Sequence, residues 1–285
     1  MDTENNVLVT GATGFIGWRL TQALSRAQYT ITAASRSPQH LPDSVVPVGI
    51  TELSGNTDWS PALKRTKAVI HLAARVHVMD DDATDPLTAF RHANTEATAR
   101  LATQAAEAGV RRFIFISSIR VNGETTEPGK PFTAQDSPAP VDPYGLSKAE
   151  AEVALRSISS KTGMKVVIIR PPLIYGPGVK ANFAALMRWL SRGLPLPFGR
   201  TGNRRSLLAL DNLTDLIITC LEHPDAANQT FLASDDEDVS TTELVRRMGC
   251  ALARPARLIP APPALMRFAA RAIGRESDYQ RLFGS

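Results

Sequence analysis

Short apolar runs alternate with longer stretches of helical spacing along the first 170 residues. Val7–Thr10 is an apolar run, and Phe15–Arg26 reads as a helix. Thr30–Ala34, Val45–Ile50 and Ala68–Ala73 read as strands. Pro86–Ala108 reads as a long alanine-rich helix ended by Gly109. Phe113–Ser117 is again strand-like, Tyr144–Ser160 a helix ended by Gly163, and Lys165–Arg170 a strand. Alternation of this kind predicts an α/β fold, a doubly wound parallel sheet with helices on both faces.

The character changes after Arg170. Prolines and glycines cluster in RPPLIYGPG and RGLPLPFG, and the elements shorten. Asp211–Glu222 reads as a helix, Thr230–Ala233 as a strand and Thr241–Leu252 as a helix. We therefore expect a sheet domain over 1–170 and, over 171–285, mainly a smaller lobe. Ala251–Arg275, rich in Ala, Pro and Arg, fits an amphipathic surface helix.

Composition narrows the class. The chain has 285 residues, 43% hydrophobic, with 32 basic and 28 acidic side chains and a net charge of +4. Such a hydrophobic fraction excludes a disordered chain. No apolar run approaches the ~20 residues of a membrane span. The N-terminal MDTENNVLVTG lacks the basic and apolar regions of a signal peptide. Two cysteines, Cys220 and Cys250, cannot build a disulfide framework or a zinc site. A reduced, cytoplasmic protein is the expectation. The basic residues are 25 Arg against 7 Lys. Most of this bias fits a GC-rich codon usage. Arginine also suits phosphate recognition, through its bidentate fork of donors. The arginines do not cluster with aromatics, so no nucleic-acid partner is expected.

Thr10-Gly11-Ala12-Thr13-Gly14-Phe15-Ile16-Gly17 joins the first strand to the first helix. Glycines there permit a tight turn and close approach of backbone to a pyrophosphate, which then faces the helix N-terminus. The second strand ends in Ser35-Arg36-Ser37, where a 2′-hydroxyl-binding acid is usual. An arginine between serines suits a 2′-phosphate, so NADP(H) is expected over NAD(H). The other reading of Arg36 is a solvated residue or one stacked on adenine.

Tyr144 and Lys148 form a Y-x-x-x-K pair on one face of a predicted helix. A cation near a phenol favours the phenolate, which can exchange a proton with a carbinol while hydride moves to or from a nicotinamide. Ser117-Ser118 ends the preceding strand. His77 with Asp80-Asp81-Asp82 lacks further ligand spacing and reads as an exposed acidic loop, so no metal is expected.

The spacing G-x-x-G-x-x-G and the order Ser, Tyr, Lys resemble the short-chain dehydrogenase/reductase superfamily, and TGATGFIG resembles its extended branch, the NAD-dependent epimerases and dehydratases. The resemblance covers nearly the whole chain. It implies a catalytic Ser118, Tyr144 and Lys148, with Ser118 chosen over Ser117 by matching FISSIRVNG. It implies cofactor contacts from Gly11, Thr13, Gly14, Phe15, Ile16, Gly17 and Lys148, and from Leu72, Ala73 and Ala74 after the structural His71. Asn94 matches a structural asparagine, and Asn122 stands where the family has tyrosine. RPPLIYGPG resembles a nucleotide-sugar segment. Asn182, Phe183, Leu196, Phe198 and Arg205 (with Arg204 beside it) fall at positions that would bind the nucleotide diphosphate and uracil.

HLAARVHVM, SSIRVNGE and RRSLLALDNL are similar to a bacterial subgroup of UDP-sugar 4-epimerases and 4-keto reductases in O-antigen and capsule pathways. The expected function is oxidoreduction at C4 of a UDP-hexose, first as a 4-keto-6-deoxy-sugar reductase. The alternatives are a 4-epimerase and a non-catalytic nucleotide sensor. A homodimer through the two long helices is implied, as is a C-terminal lobe longer than this one.

Overall fold

A computed structural model describes residues 5–76, 85–127, 129–179, 181–199, 201–261 and 271. His77 and Asp80–Asp82 lie outside the described residues, as does most of the proposed surface helix.

The chain begins β1 (Asn6–Thr10), α1 (Phe15–Arg26), β2 (Thr30–Ser35), β3 (Val46–Gly49), α2 (Ser60–Leu63) and β4 (Ala68–His71). Next come α3 (Pro86–Phe90), a π-helical segment (Arg91–Glu96), α4 (Ala97–Glu107), β5 (Arg112–Ile116), α5 (Pro143–Thr162) and β6 (Lys165–Arg170). The remainder is β7 (Leu173–Tyr175), α6 (Ala181–Ser191), β8 (Arg205–Ala209), α7 (Leu210–Glu222), β9 (Thr230–Leu232), β10 (Asp238–Val239) and α8 (Thr241–Ala251).

The residues fall into two compact units. The first holds a seven-stranded sheet in the order β3-β2-β1-β4-β5-β6-β9, parallel throughout. Both faces are covered, so its strands are apolar runs, as in VVIIR of β6. One core cluster packs Leu8, Trp59, Phe113, Phe115 and Leu155. Residues 171–285 do not form one block: Leu210–Ala233 belongs to the first unit, where β9 pairs with β6. Burial explains the return, since α7 carries an apolar stripe of Leu213, Ile217 and Cys220.

The second unit has a three-stranded sheet, β10-β8-β7, with β7 and β8 parallel and β10 antiparallel. Helices α6 and α8 pack around Leu186, Leu190, Leu196, Phe198, Val245 and Met248.

Local chemistry sets the key boundaries. α5 starts where the Asp142 carboxylate accepts the Gly145 N–H at 2.6 Å and Pro143 takes the first helical turn. It stops at Gly163, whose φ of 78° is left-handed. The long helix expected over Pro86–Ala108 is interrupted by the π-helical segment, which carries the buried Asn94.

Candidate active site

The glycine turn sits at the carboxyl end of β1. Gly11 has φ +72°, and a Cβ there would lie 2.8 Å from the Ala73 nitrogen. The loop after β4 therefore lies directly against the turn. A Cβ on Gly17 would lie 2.2 Å from the Gly11 carbonyl oxygen, so α1 packs on the turn with no room for a side chain. Gly14 caps α1 without a side-chain hydrogen bond, leaving first-turn amides for a ligand. A turn stripped of side chains beside open amides fits a dinucleotide pyrophosphate. Thr13 and Gly14 are exposed, with Phe15 and Ile16 half-buried behind them. Arg36 is exposed just past β2, which pairs with β1 up to Thr10↔Ala34, so this residue follows the strand end that lies beside the turn.

His71 is fully buried. Its Nδ1 lies 2.7 Å from the Thr10 hydroxyl and its Nε2 2.9 Å from that of Thr98. Burial, with the nearby Lys148 charge, pushes its pKa down to about 3. Both ring nitrogens are thus engaged in a neutral structural role. Leu72, Ala73 and Ala74 follow it, half-buried.

Asn94 ties this loop to α5. Its amide oxygen accepts the Arg75 N–H at 2.7 Å, and its Nδ2 donates at 3.0 Å to both the Arg75 carbonyl and the Ser147 hydroxyl. Ser147 lies between Tyr144 and Lys148 in sequence, so the asparagine fixes the helix turn that carries them. A π-helical turn at such a junction is a recurrent device at functional sites.

Ser118 caps the 3-10 turn Ile119–Val121, and its hydroxyl accepts the Arg120 N–H at 3.2 Å. The Tyr144 ring packs edge-on against Phe90 at 6.0 Å. Burial, then Asp142, push the Tyr144 hydroxyl up to about 12, while Ser118 and Arg120 pull the other way. Lys148 is buried; its Nζ donates to the Ile116 carbonyl at 2.9 Å and sits 4.4 Å from the Phe115 ring centroid. Burial pulls its pKa down to about 7, with Glu152 opposing.

Ser117 points elsewhere. It is buried and donates to Glu152 Oε1 at 2.7 Å. Glu152 in turn binds Arg170, which donates to Asn122 Oδ1 at 2.8 Å. Asn122 is buried and structural, with its Nδ2 on the Thr133 carbonyl at 2.8 Å. Glu152 and the Arg120–Asp142 ion pair escaped the motif reading. The signals were present: Asp142 before Pro143 is a helix-start signature, and Glu152 lies one turn beyond Lys148.

The substrate-side candidates belong to the second unit. Arg205 opens β8, half-buried, and Arg204 before it is exposed. Asn182 lies in the first turn of α6. Phe183 stacks on Tyr175 at 6.0 Å and packs against the α6–α8 core. The side chains of Leu196 and Phe198 point into that core at 3% exposure, so the expectation of a uracil contact there rests on their main chain. Large apolar groups gain more from α6 and α8 than from a polar ligand surface. The main chain is engaged too: Leu196 donates to the Arg257 carbonyl and accepts from Ile259, and Phe198 accepts from the Thr242 hydroxyl.

A family model, described as the NAD-dependent epimerase/dehydratase family, matches residues 7–233. The chain belongs to this family. Its expected α/β fold is the one observed, and its enzyme class is that of the family. The chain is 48% identical over 282 residues to a UDP-glucose 4-epimerase of Vibrio cholerae, covering 98% of this chain and 86% of the relative. It is 30% identical over 261 residues to a dihydroflavonol 4-reductase of Hordeum vulgare, covering 82% and 72%. A solved structure of MoeE5 in complex with UDP-glucuronic acid and NAD superposes with a TM-score of 0.76 at 26% identity, covering 90% and 85%.

Proposed function

We propose that this family member is a UDP-sugar 4-epimerase that works with a retained NAD. The carrying observation is Tyr144 one helical turn from the buried Lys148, at a helix start packed against the 3-10 turn that Ser118 caps. The Vibrio cholerae relative supports the choice of reaction, and the NAD and UDP-sugar of the MoeE5 complex support the choice of ligands.

Bound NAD would supply a hydride acceptor and donor for C4 of the sugar. Tyr144 removes the proton from the C4 hydroxyl as that carbon is oxidised, and returns it when the opposite face of the ketone is reduced. Ser118 donates a hydrogen bond to the reacting oxygen. Lys148, protonated, holds the ribose hydroxyls and favours the phenolate. Gly11, Thr13, Gly14, Phe15, Ile16 and Gly17 line the pyrophosphate side, and Leu72, Ala73 and Ala74 lie along the dinucleotide. In the second unit Arg205 and Asn182 are assigned to the nucleotide diphosphate.

The test is UDP-galactose formation from UDP-glucose with purified protein and no added cofactor, with Tyr144→Phe as the inactive control. Full activity in that variant would remove the tyrosine from the mechanism.

A UDP-4-keto-sugar reductase using NADP(H) is the second reading. Arg36 favours it, being exposed at the end of β2 and flanked by Ser35 and Ser37. NADPH consumption with a UDP-4-keto-6-deoxy-sugar, without epimerisation of UDP-glucose, would select it. Arg36→Ala should then lower the NADPH/NADH ratio of kcat/KM by at least tenfold. Nucleotide bound with neither turnover would leave a sensor.

A further inference from the structure

Arg120 sits two residues after Ser118 in the same 3-10 turn. Its guanidinium pairs with Asp142 Oδ2, while Asp142 Oδ1 accepts the Gly145 N–H at 2.6 Å. Asp142 thus caps α5 with one oxygen and holds Arg120 with the other, two residues ahead of Tyr144. The turn and the helix start are pressed together: a Cβ on Gly145 would lie 2.7 Å from the Arg120 carbonyl oxygen. Both charged side chains keep about a third of their exposure, 30% each, so the pair borders solvent.

We propose that Arg120 is a positioning residue, acting with Asp142 as a paired charge that orients and polarises the Tyr144 hydroxyl. This deepens the proposed function and rests on Tyr144 being the proton-transfer group.

The surroundings of Tyr144 support the assignment. From the 3-10 turn and its cap come Arg120 and Ser118, from the cap of α5 comes Asp142, and from α3 comes the uncharged ring of Phe90; Lys148 lies one turn along α5. The Arg75 guanidinium carbon stands 5.7 Å from the centroid of that Phe90 ring. Lys148 is directed to the Ile116 carbonyl. Within the pair the two charges act on the Tyr144 hydroxyl in opposite directions, Asp142 raising its pKa and Arg120 lowering it. Removing Arg120 alone leaves Asp142 uncompensated beside the phenol. Removing both charges restores near neutrality.

The experiment is ultraviolet titration of the Tyr144 phenolate, taken as each protein minus its Tyr144→Phe counterpart. It needs no substrate, so it reads the pair even if the protein proves not to be an epimerase. Arg120→Gln should raise the Tyr144 pKa by about 1 unit or more, and Asp142→Asn should lower it, the scale on which a neighbouring charge acts. Asparagine keeps the helix cap. Arg120→Lys and the double variant Arg120→Gln/Asp142→Asn should titrate close to wild type. If the protein is an active epimerase, the alkaline shift of the acid limb of kcat should follow the titration in Arg120→Gln, with KM little changed. An unshifted titration in Arg120→Gln overturns the proposal, as does Arg120→Lys behaving like Arg120→Gln. A normal titration shift with no epimerase activity would instead overturn the proposed function alone.

Discussion

Glu152 and Arg170 form a two-pronged ion pair inside the first unit, with Nε on Oε1 at 2.9 Å and Nη2 on Oε2 at 2.6 Å. Their side chains are only 3% and 2% exposed. The pair joins α5 to β6 directly beneath the turn carrying Ser117 and Ser118. Desolvation makes such a pair costly to leave half-made. Glu152→Gln should lower stability by about 3–5 kcal/mol, read as a lower urea midpoint. Glu152→Met/Arg170→Met should recover most of it. Equal midpoints for wild type and the single variant would show that the pair carries no stability.

Lys148 gives a pH-dependent prediction. Its folded pKa is about 7, against about 10.4 in an unfolded chain. Between these values the unfolded state holds the extra proton, so stability rises with pH across the window and falls as pH drops through 7. Lys148→Met should be inactive, yet more stable than wild type at pH 7. The difference should shrink steadily toward pH 10. A gap independent of pH would refute the assignment.

His71 titrates in the acid range with the same sign. Its folded pKa of about 3 lies below the ordinary value of about 6.5. The stability it contributes is present above 6.5 and is lost as pH falls toward 3. His71→Gln can still bond Thr10 or Thr98 and has no such proton to bind. Its denaturation curve should lose less stability than wild type between pH 6.5 and 4, measured by chemical denaturation at each pH.

Two glycine substitutions separate the turn from ordinary loop positions. Gly17→Ala drives a methyl group to 2.2 Å from the Gly11 oxygen and 2.6 Å from Ala12 Cα, both backbone atoms that cannot swing aside. It should cost about 1–3 kcal/mol and abolish NAD binding in a calorimetric titration. Gly202→Ala meets nothing within 4 Å and should leave stability and binding unchanged. Equal NAD affinity in Gly17→Ala and wild type would separate the turn from cofactor binding.

The sheet was legible because period and punctuation agree there. Phe15–Arg26 and Lys165–Arg170 match the observed helix and strand residue for residue. Tyr144 and Lys148 share one helix, as their spacing predicts, whereas Ser118 was distinguished from Ser117 by the family resemblance. The π-helical segment was not legible, since Asn94 earns its geometry from partners at 75 and 147, far away in the chain. Strand β7 was hidden among prolines, with three residues too few to show a period. The inward turn of Leu196 and Phe198 depends on α6 and α8, which local pattern does not bring together. Arg120 and Asp142 are separated by 22 residues, and only folding makes them neighbours.

The return of Leu210–Ala233 to the first unit has a kinetic meaning. Until β9 is in place, β6 is a bare edge with the main-chain groups of Ile168, Ile169 and Arg170 unpaired on one side. On the ribosome the first unit cannot be finished until the chain has grown past Leu232. A fragment ending at Arg170 would carry both Tyr144 and Lys148, and yet present an open strand that invites association with other chains.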